Sequence, residues 1–403
     1  MKRFQNHAEF ESWLAQKGMF HMELGPERMI TALRHLSLPK MSVIQVLGTN
    51  GKGSTSAFLE YLARAHGLVT GLYISPHFLS PKERILINGQ QPDNATWLEA
   101  ANAVLPLDKG LTYFEFLTLM ALHIFSQTNC DIIILEAGLG GANDATSTIP
   151  AEIHCFTPVA MDHAHVIGPS ISDIAKDKAM AIQHGTQVFS APQYPDVWPI
   201  LSNECHYKNA QLIQTEGCPY PTGMNGKTQQ INAGLALEAW RSFARNHSTR
   251  SMPHLEAHAI SSSFLPGRMQ HLAPTATHAE LTLDGAHNPH AIQALIRQLQ
   301  NKPDAIIFSA LSDKNWAASL ALLMQLDCPL YIPQLHNARA ESCWTMANHA
   351  NRIIPDSANS FKCLEDALMA CKNEQRSALL TGSLYLLAEF YSLFPHYLHK
   401  DQS

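Results

Sequence analysis

The chain has 403 residues, a hydrophobic content of 46%, charged residues at 15% and a formal net charge of −6. This length predicts two or three domains, and the acidic balance argues against a nucleic-acid-binding surface. No apolar run approaches the ~20 residues that cross a bilayer, so the composition also excludes a membrane-spanning protein. The eight cysteines are scattered and form no CxxC pair, which suits reduced thiols. Near the N-terminus, Glu9 and Glu11 stand where a signal peptide would be apolar. We therefore expect a cytoplasmic location.

The first strand-to-helix unit carries a glycine-rich turn. Residues 43–47 read as a short buried strand, GTNGKGST (48–55) follows, and the next residues have a helical apolar period. Such a unit cradles a nucleotide triphosphate, because glycines let backbone N–H groups close on phosphate oxygens and Lys52 neutralises charge. The run departs from the general P-loop, since Val46 occupies the outer glycine position and Gly53 follows the lysine. A plain phosphotransferase is therefore disfavoured.

Strand-like and helical segments alternate along most of the chain. The apolar strand-like runs are 68–75, 131–138, 154–163, 305–311, 329–333 and the start of 378–390, and a helical pattern covers 112–128. This alternation predicts an α/β protein with mostly parallel sheets covered by helices, and with ligand groups at the carboxyl ends of the strands.

A stretch punctuated by proline and glycine, residues 264–280, suits a hinge between two domains. We therefore predict an N-terminal ATP-binding domain at about residues 1–270, built on a P-loop-containing sheet. A smaller Rossmann-like α/β domain is predicted at 271–403.

Two residues near predicted strand ends are candidate metal ligands. Glu136 follows an apolar strand directly, where a carboxylate is costly unless it is compensated, and Mg²⁺ on ATP phosphates would compensate it. The alternative is a carboxylate that caps the following turn. His163 is predicted to end the next strand, where an imidazole can complete a metal shell, although a single histidine is more often structural.

Lys178 lies in a predicted helix opened by Ser170 or Ser172. From the charge pattern alone, a solvated lysine in a helical turn is the favoured interpretation, because exposure is the default for lysine.

Several further stretches occur in a characteristic order along nearly the whole chain. They are GTNGKGST (48–55), YISPHFLSPKERILING (73–89), TYFEF (112–116), ILEAGLGGANDAT (134–146), MDHAHVIG (161–168), INAGLAL (231–237), PGRMQ (266–270), LDGAHNPHA (283–291) and LSDK (311–314). Together they resemble the folylpolyglutamate synthase/dihydrofolate synthase family of the Mur ligase superfamily, from about residue 22 to residue 385.

The resemblance implies roles for individual residues. It places the ATP triphosphate on Thr49, Asn50, Gly51, Lys52, Gly53 and Ser54, with Asn232, Arg268, Asp284 and His287 completing the nucleotide site. It assigns Mg²⁺, at two sites, to Ser75, Glu136, His163 and Lys178, the last as a carbamate; a monovalent cation is left unassigned. It places the pterin acceptor near Gly25, Pro26, Glu27, Arg28, Thr112, Tyr113, Phe114, Glu115, Ala142, Asn143 and Asp144.

The implied activity joins L-glutamate to dihydropteroate, to tetrahydrofolate, or to both. Phosphoryl transfer from ATP makes an acyl phosphate, whose phosphate is a good leaving group for attack by the glutamate amine. Lys52, His163, Lys178 and Arg268 are the implied catalytic residues, through charge stabilisation and positioning. The implied partners are small molecules, without nucleic acid or membrane, and the implied state is a monomer.

Alternatives remain for individual residues and for the whole chain. Arg268 could be a surface arginine beside a turn, and Asp284 could form an Asx turn before an ordinary helix cap. The whole chain could be a superfamily ligase for another acid, or a non-catalytic ATP- or folate-binding relative.

The sequence also departs from the family pattern. Ala142 and Asn143 stand where GLGGRLDAT has arginine and leucine, KAMAIQ replaces KAGIIK after Lys178, and Thr228 replaces a histidine before Gln229. The lost arginine puts the acceptor preference in doubt more than the ATP chemistry.

Overall fold

The computed structural model describes residues 3–19, 23, 25–36, 41–162 and 166–400. The chain divides into two compact units. The first comprises Met1–Ala160, Ala164–Pro221 and Gln230–Ser263, and the second comprises Met161–His163, Thr222–Gln229 and Phe264–Ser403.

The first unit contains a seven-stranded sheet with the order β3-β2-β4-β1-β5-β6-β7. Its strands are β1 (Val43–Leu47), β2 (Thr70–Tyr73), β3 (Ile85–Ile87), β4 (Ile132–Glu136), β5 (Ile153–Phe156), β6 (Gln187–Ser190) and β7 (Gln211–Gln214). Every neighbouring pair is parallel except β2–β3. Strands β1 and β4 are buried at every position, as expected where helices cover both faces of a sheet.

Nine helices accompany this sheet within the described residues. They are α1 (His7–Gln16), α2 (Glu27–Leu33), α3 (Lys52–Ala65), α4 (Asn94–Val104), α5 (Tyr113–Thr128), α6 (Ile171–Ala179), α7 (Trp198–Tyr207), α8 (Lys227–Asn246) and α9 (Pro253–Ser262). Short 3₁₀ helices cover Pro81–Arg84, Leu105–Leu107 and Ala145–Thr148. No helix in the described ranges is both long enough and apolar enough to cross a membrane.

Local sequence explains where the helices that carry candidate residues begin. The Thr112 hydroxyl accepts a hydrogen bond from the Glu115 amide, and the Glu115 carboxylate accepts one from the Thr112 amide. This reciprocal pair is a capping box at the start of α5. Ser170 caps α6 in the same way with Asp173. Both starts agree with the sequence predictions.

The second unit contains a six-stranded sheet with the order β12-β11-β10-β13-β9-β8. Its strands are β8 (Gln270–Leu272), β9 (Leu281–Leu283), β10 (Ala305–Phe308), β11 (Leu330–Pro333), β12 (Ala358–Phe361) and β13 (Ala378–Thr381). Its helices are α10 (Pro289–Gln298), α11 (Trp316–Met324), α12 (Cys343–Ile353), α13 (Leu364–Asn373) and α14 (Leu384–Leu393), followed by a 3₁₀ helix at Pro395–Leu398. The pairs are parallel except β8–β9.

The predicted α/β class with mostly parallel sheets is confirmed. The prediction that His163 ends a strand is wrong, because β5 stops at Phe156 and Pro158, which has no N–H, follows shortly after. The stretch 264–280 is not wholly irregular either, since β8 lies within it. His163 itself lies outside the described residues.

Candidate active site

The phosphate loop between β1 and α3 depends on two glycines. Gly51 caps α3 with a φ of 98°, and a Cβ added there would lie 2.4 Å from Asn232 Oδ1 on α8. Gly48 has a φ of 126°, and its Cβ would lie 2.0 Å from Thr157 Oγ1. Both positions therefore require glycine, and the loop lies directly against Asn232, as the predicted nucleotide site requires.

The chain after β5 holds this loop in place. The amides of Thr49 and Asn50 donate to Pro158 O at 3.1 and 3.4 Å. Thr49 Oγ1 donates to Ala160 O and accepts from Ala160 N, both at 3.1 Å. Lys52 Nζ donates to Thr49 O at 3.3 Å, so the amine lies over the loop and keeps further hydrogens for a ligand.

Three buried hydroxyls follow the loop in the first part of α3, and Ser54 and Thr55 lie nearest to it. Ser54 Oγ, Thr55 Oγ1 and Ser56 Oγ are buried and have no hydrogen-bond partner within the described part of the chain. Buried hydroxyls normally find a partner, and these three lie in the first turn and a half of α3, where the helix dipole favours negative charge. The donors therefore fit a phosphate group with an associated hard cation.

The predicted metal ligands Ser75 and Glu136 are adjacent in the structure. Glu136 is 4% exposed at the end of β4, and its Oε2 accepts a hydrogen bond of 2.8 Å from the Ser75 amide after β2. Across the residues described, no three His, Cys, Asp or Glu side chains form a metal-binding group. A metal site built on the Ser75 hydroxyl and the Glu136 carboxylate thus needs ligands of other kinds, such as water, phosphate or a modified lysine.

Lys178 is not a solvated lysine, so that interpretation of the charge pattern is wrong. The residue is 5% exposed, and its Nζ donates to Gly140 O at 3.2 Å in the loop that follows β4. A Cβ on Gly141 would lie 2.4 Å from Lys178 Cα, and Ala142 N donates to Asp177 O at 3.2 Å. Helix α6 and the loop after Glu136 therefore form one packed unit.

Asp144 organises this loop. Its Oδ2 accepts from the amides of Gly138 and Leu139, both at 2.9 Å, and its Oδ1 accepts from Thr146 N and Oγ1 at 2.9 and 2.6 Å. Burial raises the pKa of this carboxyl, and the hydrogen bonds oppose that shift. Because both carboxylate oxygens of Asp144 are bonded to the loop, this residue fixes the shape of the predicted acceptor wall. In the same loop, Ala142 is half-buried and Asn143 is exposed.

The remaining predicted acceptor residues lie at the starts of α2 and α5. Arg28 forms a bidentate ion pair with Glu115, with Nε–Oε2 and Nη2–Oε1 distances of 3.0 Å, and Glu115 Oε2 also accepts from Thr112 N at 2.7 Å. Hydrogen bonding to Glu115 raises the pKa of Arg28. Gly25, Pro26 and Glu27 lead into α2. Arg28 and Glu115 thus neutralise each other.

Tyr113 and Phe114 extend this side toward β2. The Tyr73 hydroxyl donates to Phe114 O at 3.3 Å, and Gly138 lies so close to the Phe114 ring that a Cβ would be 2.7 Å from it. Arg84 places its guanidinium carbon 5.3 Å from the Tyr113 ring centroid, and its Nε donates to His77 Nδ1 at 2.9 Å. Burial, and then the charge of Arg84, lower the pKa of His77 to about 3.

Arg268, Asp284 and His287 form a group of their own in the second unit. Asp284 accepts from Met269 N at 3.0 Å and from Ala286 N at 2.9 Å, the latter being the Asx turn that the sequence left open as an alternative. Burial raises its pKa, and the neighbouring Arg268 opposes the shift.

His287 is engaged at both ring nitrogens in the same unit. Its Nδ1 lies 2.9 Å from Gly285 O, and its Nε2 lies 3.6 Å from Asp162 Oδ2. Asp162 also pairs with Lys314 Nζ at 2.6 Å. The stretches MDHAHVIG, LSDK and YISPHFLSPKERILING contain Asp162, Lys314, His77 and Arg84, for which the sequence alone predicted no role. Their presence in those stretches was the only available signal, because a partner brought in by folding is not visible in a motif.

Comparisons with known proteins find relatives of similar sequence and fold. A scan against protein-family models gave no match. The dihydrofolate synthase/folylpolyglutamate synthase of Escherichia coli (strain K12) is 29% identical over 411 residues, covering 94% of this chain and 93% of that relative.

Two solved structures have the same fold over nearly their whole length. Escherichia coli FolC in complex with DHPP and ADP aligns with a TM-score of 0.85 and 26% identity, over 96% of this chain and 98% of that one. A bifunctional folylpolyglutamate synthase/dihydrofolate synthase with Mn, AMPPNP and L-glutamate bound aligns with a TM-score of 0.84 and 29% identity, over 96% of this chain and 98% of that one. In sequence and in fold, the chain is thus similar to proteins of the folylpolyglutamate synthase/dihydrofolate synthase family over nearly the full length of these relatives.

Proposed function

We propose that this protein is an ATP-dependent ligase that forms an amide between L-glutamate and dihydropteroate, tetrahydrofolate, or both. An acceptor carboxylate oxygen attacks the γ-phosphorus of ATP, and ADP leaves. The glutamate amine then attacks the acyl carbon, the C–O bond to phosphate breaks, and inorganic phosphate leaves with that oxygen. The relatives named dihydrofolate synthase and folylpolyglutamate synthase support this reaction for the family.

The observation that carries the proposal is the phosphate loop with its unpartnered hydroxyls. Gly51 lies against Asn232, Lys52 lies over the loop, and the hydroxyls of Ser54 and Thr55 are buried without partners in the described chain. A loop of this kind binds a triphosphate through backbone N–H groups and a lysine. Binding in this place would hold the γ-phosphate near Glu136 and the end of β4.

The chain's own residues would contribute positioning and charge. Lys52, with Arg268 from the smaller domain, would offset negative charge on the phosphate oxygens during transfer. A divalent ion supplies further charge neutralisation when it is bound. Ser75, Glu136, His163 and a carbamate on Lys178 would hold such ions, since oxygen ligands suit Mg²⁺. Asp284 and His287 would contact the nucleotide, and the segments around Arg28, Tyr113 and Ala142 would face the acceptor.

Other features of the molecule are part of the same proposal. We propose an ATP-binding domain at about residues 1–270 and a smaller domain at 271–403 that contributes to nucleotide and glutamate binding. We also propose a monomer that works in the cytoplasm on small molecules, where the eight free cysteines would stay reduced. No monovalent-cation site is assigned.

ADP release by the purified protein tests this function. We expect release that requires both L-glutamate and an acceptor, tried as dihydropteroate and as tetrahydrofolate. Lys52→Ala should abolish it, because the lysine amine would be missing from the triphosphate. Lys109→Ala, which changes an exposed lysine, should keep the native rate. Glutamate-independent release, or native turnover by Lys52→Ala, would contradict the proposal.

A further inference from the structure

Arg84 is a buried arginine between the predicted metal site and the predicted acceptor side. It is 4% exposed and directly precedes β3, where its carbonyl accepts from Ile74 N at 2.9 Å. The next residue after Ile74 is Ser75, whose amide donates to Glu136. On its other side, the Arg84 guanidinium lies over the Tyr113 ring. Arg84 thus connects the chain that leads to Ser75 with Tyr113 on the predicted acceptor side.

The guanidinium has no acidic partner among the residues that the structure describes. Its Nε donates to His77 Nδ1 at 2.9 Å, and its central carbon lies 5.3 Å from the centroid of the Tyr113 ring. Arg28 and Arg241 are each paired with a buried glutamate, Glu115 and Glu256. A buried charge is costly unless it is paired, so the lone guanidinium of Arg84 is a reason to look for an anionic ligand.

His77 holds the guanidinium of Arg84 in place. Because its Nδ1 accepts the hydrogen bond from Arg84 Nε, the neutral ring carries its hydrogen on Nε2. That hydrogen points away from Arg84, because the two ring nitrogens face opposite sides of the imidazole. The role of His77 is therefore to fix the guanidinium through Nε, which leaves the remaining N–H groups of Arg84 for a ligand.

We propose that Arg84, oriented by His77 and Tyr113, binds a substrate carboxylate. The planar fork of an arginine matches the two oxygens of a carboxylate. Two sources are possible in the reaction, the acceptor acid and the incoming glutamate, and the shared chemistry is the carboxylate. This inference rests on the proposed ligase function and adds to it a carboxylate subsite on the β2–β3 side of the sheet.

Arg84→Gln tests the subsite through Michaelis constants for ADP release. The variant removes the charge and keeps a polar side chain. We expect the KM for one carboxylate substrate to rise by about 10- to 100-fold, as for loss of a charged hydrogen bond, while the KM for ATP stays within about twofold. A fall in kcat with every KM unchanged, or no change at all, would overturn the inference.

Neutral amides identify the source of the carboxylate. The native protein should bind dihydropteroate more tightly than its carboxamide, or L-glutamate more tightly than its α-amide, by about tenfold or more. Arg84→Gln should lose this preference for one pair of ligands only. Loss for the dihydropteroate pair assigns the acceptor, and loss for the glutamate pair assigns the amino acid. Retention of both preferences would overturn the proposal.

Arg64→Gln is the matched control. Arg64 lies over the Tyr61 ring at 4.8 Å, as Arg84 lies over Tyr113, but it is paired with Glu60 at 2.8 Å. Removing Arg64 leaves the 2% exposed Glu60 without its cation, so the melting midpoint should fall while the KM values stay native. Arg84→Gln leaves no carboxylate unpaired, so its midpoint should not fall.

Two further measurements keep the test decisive. If Arg84→Gln does not fold, Arg84→Lys keeps the charge without the fork and should show a partial rise in the same KM. Equal binding of acid and amide by the native protein, measured without any variant, would then overturn the inference. If the native protein shows no glutamate-dependent ADP release, the proposed function fails, whereas a native rate with unchanged Arg84→Gln constants rejects only the carboxylate subsite.

Discussion

Lys178 shows how the environment of one residue decides its chemistry. An exposed lysine has a pKa of ~10.4 and stays protonated at neutral pH, where its amine cannot react with carbon dioxide. Lys178 is not such a lysine, because it is buried on α6 and its amine donates to Gly140 O. This setting is compatible with the proposed carbamate, in which the amine nitrogen bonds to the carbon of carbon dioxide and releases a proton.

We predict that Lys178→Ala lowers the rate of ADP release by at least about 100-fold, because an oxygen ligand for the metal would be lost. Short carboxylic acids should restore part of the rate by filling the vacated space. Lys176→Ala is the control, since Lys176 is exposed on the same helix. Two results would rule out the carbamate. The first is full activity of Lys178→Ala. The second is a native protein, analysed at neutral pH, that lacks the added mass of one bound carbon dioxide, about 44 Da.

The loop after β4 and helix α6 act as one structural element. Gly140, Gly141 and Ala142 contact Asp177 and Lys178 through backbone atoms, and Asp144 fixes the far side of the loop. The metal-side lysine and the predicted acceptor wall are therefore mechanically coupled. A change at the close contact should affect both, and a change at the exposed tip should affect the acceptor alone.

Gly141→Ala tests the close contact. Its Cβ would lie 2.2 Å from Asp177 O, and backbone atoms there cannot move without shifting α6 or the loop. We expect a loss of about 1–3 kcal/mol in the free energy of unfolding, together with a lower kcat. Gly217→Ala, where a Cβ meets nothing within 4 Å, should leave both near native. Native stability and activity in Gly141→Ala, measured by urea unfolding and ADP release, would contradict this packing.

Ala142→Arg tests the exposed side of the same loop. The substitution restores the positive charge that the family pattern usually carries, and the half-buried site leaves room for it at the surface. We expect the KM for the acceptor to fall by about two- to fivefold, the range for an exposed charge pair, while the KM for ATP hardly changes. Ala142→Gln adds length without charge and should have no such effect. Equal shifts in both constants would show that the loop is not an acceptor wall.

The sequence predicted those elements whose apolar runs are long or whose caps are explicit. Strands β1 and β4 and helix α5 follow from runs such as IIIL and from the Thr112–Glu115 spacing. Strands β7 (QLIQ) and β12 (ANSF) are polar at partly exposed positions, so no apolar signal marks them. Strand β8 has three residues, too few for a period to be read.

The site could be predicted only where one segment carries the information. The phosphate loop is local, and its glycines are explained by contacts with Thr157 and Asn232 that only the fold supplies. The burial of Lys178 depends on packing of α6 against a loop 38 residues earlier, and the pairing of His77 with Arg84 depends on how the segment between β2 and β3 folds back on itself. Neither the burial of Lys178 nor the hydrogen bond between His77 and Arg84 can be predicted from the pattern of charges in the sequence.

At the scale of the whole molecule, a buried histidine in the central sheet predicts acid sensitivity. His154 on β5 is fully buried, and its ring nitrogens make no hydrogen bond of normal distance and angle in the described chain, although the Ala181 backbone lies near enough to oppose part of the effect of burial. Burial lowers its pKa to about 4. The unfolded chain binds a proton on this ring below pH ~6.5 while the folded protein does not, so stability falls as pH decreases from about 6.5 to about 4.

We predict that replacing this ring removes part of that acid sensitivity. The contribution of His154 amounts to at most about 3 kcal/mol of unfolding free energy at the acid end, from 1.36 kcal/mol per pKa unit. His154→Leu should gain stability relative to the native protein as the pH is lowered from 7 to 4.5, in urea unfolding. A difference between the two proteins that does not vary with pH would contradict the buried neutral state.

The central claim is that ATP activates an acceptor carboxylate, and oxygen transfer tests it most directly. Dihydropteroate or tetrahydrofolate labelled with ¹⁸O in the reacting carboxylate is incubated with ATP, L-glutamate and the protein. Because a carboxylate oxygen attacks the γ-phosphorus and leaves with it, the account predicts one labelled oxygen in each phosphate released, in step with the amide product. Amide formation with unlabelled phosphate, or phosphate release without glutamate incorporation, would contradict it.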